Sequence, residues 1–304
     1  MRNTDMTTQV NKTIIKALLG AFIVLSLGAC AEKDELVVIS TPYGEMTAVL
    51  YDDTPLHKEN FLELAKSRKY DSVLFHRVIE DFMIQTGDVA TGLAKEAVDY
   101  RIDAEFVPEK YIHRKGALAA ARIGDANNPE KKSSGSQFYI VDGETFNEEG
   151  LKERAERRQY LKLYGLFDRM LRSKRFPELT EKVEYHRLKQ EEDSTYYFGE
   201  AYRQLIWNSQ PIIEETFGDQ SDPGYPDWAR EIYATEGGAP HLDGEYTVFG
   251  QVVEGMEVID QIAAVQTNQS DKPLEDIRMT VEVIEMPKSE VTEKYGIEYP
   301  NKDQ

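Results

Sequence analysis

The stretch FHRVIEDFMIQTGD, Phe75 to Asp88, places the tightest limit on what this chain can fold into. Phe75, Val78, Ile79, Phe82, Met83 and Ile84 make two short apolar runs, parted by a charged turn at Glu80-Asp81. Inside those runs stand one arginine, Arg77, and one amide, Gln85. An arginine in such a run must send its guanidinium to water, to a partner or into a cleft, because burying it unpaired is prohibitive. If the turn brings the two runs together, Arg77, Phe82, Met83 and Gln85 line one concave surface. That surface is a greasy floor with a permanent cation and an amide at its edge.

A chain of 304 residues can bury a full core as one large domain or two small ones. Its net charge of -19 and pI near 4.8 argue against a nucleic-acid partner, which needs a basic patch. Cys30 is the only cysteine, so no internal disulfide can form. Arg2, Lys12 and Lys16 make a basic start, Ala17 to Leu27 is apolar, and Leu27-Gly28-Ala29-Cys30 follows. A short apolar run after positive charge, ending in small residues, reads as a secretory signal, since it is too short to span a bilayer comfortably. The alternative is a signal anchor with an incidental cysteine. Leu27 to Cys30 resembles a bacterial lipobox, which implies a signal peptide over 1–29 and lipidation of Cys30. Ala31 in place of an aspartate favours the outer membrane. Residues 30–35 are expected to be a tether, and Glu32-Lys33-Asp34-Glu35 also resembles acidic surface-export signals.

Further along, LVVIST and MTAVLY flank a Pro-Tyr-Gly-Glu turn and predict a hairpin. Asp53 or Thr54 can cap a helix that opens at Pro55, with Phe61, Leu62 and Ala65 on one face and His57 on its solvated side. Gly116 to Ala121, Ser136 to Val141, Thr247 to Val253 and Arg278 to Glu285 read as strands, with a short helix near Gly255-Met256. From Pro287 the chain reads as a frayed polar tail, 288–304. Residues 148–235 differ in kind. They are rich in charge, leucine and tyrosine, with helical spacing at Leu163, Leu166, Phe167, Met170 and Leu171. A segment of that size is a helical insertion, expected to begin and end at neighbouring points beside the cleft and to be anchored by Trp207 or Trp228.

Four separated stretches now point one way. FHRVIEDFMIQTGD, HRKGALAAAR, GSQFYIV and LDGEYTVFGQVVEGMEVID resemble, in order, the motifs of the cyclophilin-type peptidyl-prolyl cis-trans isomerases. The resemblance covers residues 36–143 and 237–287. It implies a mainly β fold, an eight-stranded antiparallel barrel capped by two helices, here a domain over 36–287 interrupted by the helical insertion. It also implies isomerase activity with no cofactor or metal. By resemblance Arg77 and Gln85 are the catalytic pair, with Gln85 helping to orient the arginine. Phe82, Met83, Tyr139 and Leu242 form the proline pocket, with His241 at its rim and Tyr246 at the place of the family's pocket histidine. Gln137 and the backbone at Ala121-Arg122 hold the extended peptide.

The sequence departs from the eukaryotic pattern at Thr86-Gly87, Arg122-Ile123, His241 and Tyr246. These positions bear on peptide preference and cyclosporin binding. The expected function is prolyl isomerisation assisting the folding of exported proteins, with proline-containing segments as partners. A non-catalytic module that holds proline segments for a chaperone insertion is the alternative, and a structural envelope protein is a third. The presence of Arg77 together with Phe82, Met83 and Gln85 favours the enzyme.

Overall fold

The computed structural model describes residues 32–299; the expected signal peptide and Cys30 lie outside the described residues. β-Strands run over Lys33–Thr41 (β1), Gly44–Leu50 (β2), Val73–Leu74 (β3), Arg77–Ile79 (β4), Met83–Thr86 (β5), Arg101–Ile102 (β6), Ala117–Ala120 (β7), Ser133–Ser134 (β8), Phe138–Val141 (β9), Val248–Glu254 (β10) and Arg278–Pro287 (β11). Nine of them form one antiparallel sheet in the order β3-β11-β1-β2-β10-β7-β9-β5-β4, while β6 and β8 pair separately. The two edge strands are neighbours in sequence. At the bend between them the Phe75 N–H donates to Ile277 O and the His76 N–H to Gln85 O. One bent segment therefore belongs to both edges, and the sheet curls round on itself. Counted as a single strand, β3 and β4 bring the total to the expected eight.

Alternation along the strands sorts side chains to two faces. Val78, Ile84, Leu118, Ala120, Phe138 and Ile140 point into the main core, with Val37, Ile39, Met46 and Leu50 from the opposite wall. Two helices close this core, Pro55–Lys66 (α1) and, later in the chain, Met256–Ala263. From α1, the Phe61 ring lies 5.1 Å from Phe138, 5.5 Å from Phe249 and 5.0 Å from Tyr70. The sheet and its caps thus meet on one aromatic cluster.

His57 is a correction. It is buried, and Glu105 from a distant loop accepts the Leu56 and His57 backbone N–H groups and lies 2.6 Å from His57 Nδ1. The carboxylate satisfies two orphan donors of the helix start, and the imidazole goes under with it.

Five helices fill the interruption: Glu148–Ser173 (α2), Pro177–Glu192 (α3), Phe198–Asn208 (α4), Gln210–Phe217 (α5) and Asp227–Thr235 (α6). Asn147 caps α2 by accepting the Gly150 N–H. The ends of the segment meet: the Phe146 N–H donates to Tyr233 O at 2.9 Å, and the Gly238 N–H to Glu144 O at 3.0 Å. Backbones touch at that seam, where a Cβ on Gly143 (φ +71°) would stand 2.4 Å from Gly238 Cα. Two apolar clusters divide the helices. A near one joins Leu151, Tyr225, Ala229 and Tyr233 to Ile112 and Phe146; a far one holds Leu163, Phe167, Met170, Leu179, Leu205, Ile206 and Ile213. Trp207 packs on the far cluster and Trp228 is exposed, so neither tryptophan fastens the helices to the barrel; Leu151, Tyr225 and Tyr233 do.

Both ends of the described chain also depart from expectation. Lys33–Glu35 are strand, paired with Glu285–Pro287, rather than tether. Asp34 is buried and takes Lys58 Nζ at 2.8 Å and the Tyr299 hydroxyl at 2.6 Å. The supposed tail continues from β11 as the closing helix α8, Lys288–Tyr295, which follows Met256–Ala263 (α7) in chain order. Its Val291 is buried with Leu36 and Val49, and Tyr295, Ile297 and Tyr299 pack beside it. A sparse apolar pattern in a charged run was sufficient, because a sheet face was waiting for it.

Candidate functional site

The β4–β5 hairpin places its residues in register: Arg77 faces Gln85, Val78 faces Ile84 and Ile79 faces Met83. Its turn is held from outside, with the Asp81 N–H (φ +61°) donating to Asp142 Oδ2 at 2.8 Å and Phe82 O accepting from Asp142 and Gly143. Gln85 in turn stands opposite Tyr139 on β9, and Tyr139 opposite Ala119 on β7. With period 2, every residue in these rows that does not enter the core points outward on one face. Met83, Ala117, Ala119, Ala121, Tyr139 and Val141 form that face, with Phe82, Leu242 and Tyr246 packed around them. The three alanines leave a depression that larger side chains would fill.

The expected site residues occupy this one surface. Met83 and Tyr139 are its buried floor, while Phe82, with His241 5.3 Å away ring to ring, and Leu242 stand at the rim. Tyr246 meets Tyr139 edge-on at 6.0 Å. The Ala121 N–H donates to Gln137 O, and the Gln85 amide reaches Gln137 Oε1 at 3.5 Å. Arg122 comes in by its side chain as well as its backbone. Its guanidinium lies 4.4 Å over the Tyr246 ring and donates to Glu245 O at 2.9 Å. That side chain is nearly fully buried, so it props the rim from behind.

Arg77 keeps its guanidinium half-exposed at the edge of the floor, with Asp271 Oδ2 3.6 Å from its Nε. Asp271 went unread in the sequence. It sits at φ +59° in a loop whose carbonyl accepts the Val78 N–H at 2.7 Å, and nothing local marks it out. His76, next to the arginine, is driven toward its neutral form by burial against the pull of Asp88. Burial likewise pushes the Tyr139 phenol well above its usual range, so at neutral pH it is a neutral hydroxyl. The arrangement can bind an apolar ring on its floor, align an extended chain along Gln137 and Ala121, and aim a fixed positive donor at the bound group.

The chain is similar to known proteins as follows. The family model described as cyclophilin type peptidyl-prolyl cis-trans isomerase/CLD matches residues 36–153 and 230–283. A Streptococcus pyogenes protein named as a bifunctional phosphatase/peptidyl-prolyl cis-trans isomerase is 31% identical over 82% of this chain, which spans only 38% of that relative. Staphylococcal proteins named as peptidyl-prolyl cis-trans isomerases span more fully. That of Staphylococcus saprophyticus is 29% identical, covering 82% of this chain and 91% of its own; that of Staphylococcus epidermidis is 30% identical, covering 79% and 87%. A crystal structure of a Cryptosporidium parvum cyclophilin-type isomerase superposes with a TM-score of 0.46 at 20% identity, covering 83% of this chain and 98% of its own.

Proposed function

Because this chain belongs to the cyclophilin-type peptidyl-prolyl cis-trans isomerases, we propose that its cleft turns over Xaa-Pro bonds with Arg77 as the group that stabilises the twisted amide. Rotation about an amide crosses a barrier of roughly 18–20 kcal/mol, because resonance must be given up. In the twisted form the prolyl nitrogen becomes pyramidal and regains a lone pair. A donor aimed at that nitrogen favours the twisted form over either planar one, which is what lowers a barrier. Arginine suits the task, being always charged and rich in donors.

The floor of Met83 and Tyr139, ringed by Phe82 and Leu242, takes the proline ring; Gln137 and Ala121 hold the flanking backbone. The observation that carries this reading is the half-exposed guanidinium on β4, in register with Gln85 and at the edge of that floor. Arg77→Ala should lower kcat/KM on an Xaa-Pro tetrapeptide about a hundredfold, the loss of a well-placed donor costing roughly 2.7–4 kcal/mol. Wild-type protein no faster than the uncatalysed rate would leave only a binding module.

The working context proposed for this chemistry is the bacterial envelope. Cys30 would carry a lipid in the outer membrane, and proline-containing segments of exported proteins would be the substrates. Leu27-Gly28-Ala29-Cys30 supports it. Acyl mass on an N-terminal Cys30 in membrane-extracted protein is the expected result, and unmodified protein that washes off without detergent overturns it.

A further inference from the structure

Beneath the cleft runs a buried chain of polar groups that the isomerase chemistry does not use. The Tyr233 hydroxyl, on α6, donates to Asp243 Oδ2 at 2.6 Å. Asp243 Oδ1 accepts the His113 backbone N–H at 2.8 Å and lies 2.9 Å from His113 Nδ1. On the other side of the ring, His113 Nε2 is 3.0 Å from the Tyr139 hydroxyl. An ionised carboxylate only accepts, so Nδ1 carries a proton toward Asp243, and in the neutral imidazole Nε2 then offers its lone pair. The Tyr139 O–H is then the donor to Nε2. Each hydroxyl has one acceptor, and each Asp243 oxygen has a donor.

The chain has a pocket end and a helix end. Tyr139 is the pocket floor, and Asp243 follows Leu242 directly at the rim. Tyr246 packs edge-on against both His113 and Tyr139. Tyr233 is fully buried, between Tyr225 at 5.8 Å and Phe146 at 6.4 Å, ring to ring. A phenylalanine would pack there without the cost of burying a hydroxyl, so the hydroxyl is present for its bond.

We propose that Tyr233 is a positioning residue for the proline pocket, setting floor and rim together through Asp243, His113 and Tyr139. Without its hydroxyl, Asp243 Oδ2 is an unsatisfied buried acceptor. The carboxylate turns toward water, the rim at Leu242 follows, and His113 loses the partner that fixes its tautomer. The helices of the insertion thereby support substrate binding even for a peptide too short to touch them.

This inference rests on the cleft being the prolyl site, so its test must fail separately. In the full-length chain, kcat, KM and melting temperature would be measured on an Xaa-Pro tetrapeptide for wild type, Tyr233→Phe, Tyr139→Phe and the double variant. Tyr233→Phe should raise KM about three- to tenfold with a smaller change in kcat, and the double variant should be no worse than the worse single one, as coupled groups require. Tyr197→Phe, at 72% exposure, should match wild type. An unchanged KM in Tyr233→Phe, or two effects that multiply, overturns the proposal. If wild type proves catalytically silent, peptide Kd replaces KM and the coupling is still read. If Tyr233→Phe does not fold, titrating wild type with the peptide should shift the Tyr233 ring resonances, since linkage is reciprocal; unmoved resonances overturn it.

Discussion

The barrel and the inserted helices hold themselves together by different means. In the barrel every strand between β11 and β5 is pinned on both sides by a ladder, and a slip of one residue would turn Met83 and Tyr139 inward and Ile84 and Ile140 outward. Its core is one continuous cluster reached from the strands and both end helices. The helices have no such register. α3 buries only Leu179 and leaves Tyr185 and Leu188 exposed. What unites them is α2, whose 26 residues extend about 39 Å. Its first turns lie in the near cluster with Leu151, and its later ones supply Leu163, Phe167 and Met170 to the far cluster. Position is thus set stringently in the barrel and loosely at the far end of the bundle, with the seam at Tyr233 between them.

Three substitutions probe that gradient, in falling order. Phe61→Ala removes the centre of the barrel's aromatic cluster and should cost about 3–5 kcal/mol, unfolding strands and active site in one transition. Circular dichroism and tetrapeptide turnover should be lost at the same denaturant concentration. Leu163→Ala in the far cluster should cost roughly 3 kcal/mol, but in the helices alone. A helical transition that precedes the loss of turnover would confirm separate cores, and coincident transitions would show that barrel and bundle are one cooperative unit. Tyr233→Phe should have the smallest effect on stability, about 1.5 kcal/mol by calorimetry, the low end for a hydrogen bond to a charged group, because the carboxylate can turn toward water. Its larger effect is expected on KM.

Much of the site was legible because its information is local. A two-run pattern with a charged turn brings Arg77, Phe82, Met83 and Gln85 together through a hairpin, and residues 77–85 need no distant partner to define that register. The strand at Phe138–Val141 announced itself as a short apolar β-rich run, and the resemblance gave Tyr139 to the pocket; pairing of Tyr139 with Gln85 then sets it on the same face as Met83. Other features carried no such mark. His57 looked solvated because its helix face is polar, and only Glu105 made burial affordable. Asp271 became a neighbour of Arg77 through a loop far along the chain. The closing helix α8 was hidden in a charged run whose few apolar residues gain their value from Leu36 and Val49.

The sequence by itself determined the strands of the main sheet, the hairpin that sets Arg77 opposite Gln85, the place of the insertion and the family, since periodicity and short motifs depend on residues close together in the chain. Only the tertiary structure decided which charges and hydroxyls are buried and with whom. Tyr233, Asp243, His113 and Tyr139 lie up to 130 positions apart, between Asp243 and His113, and no local pattern links them. Burial makes a polar group costly unless a partner is in place, and closure of the fold alone supplies that partner.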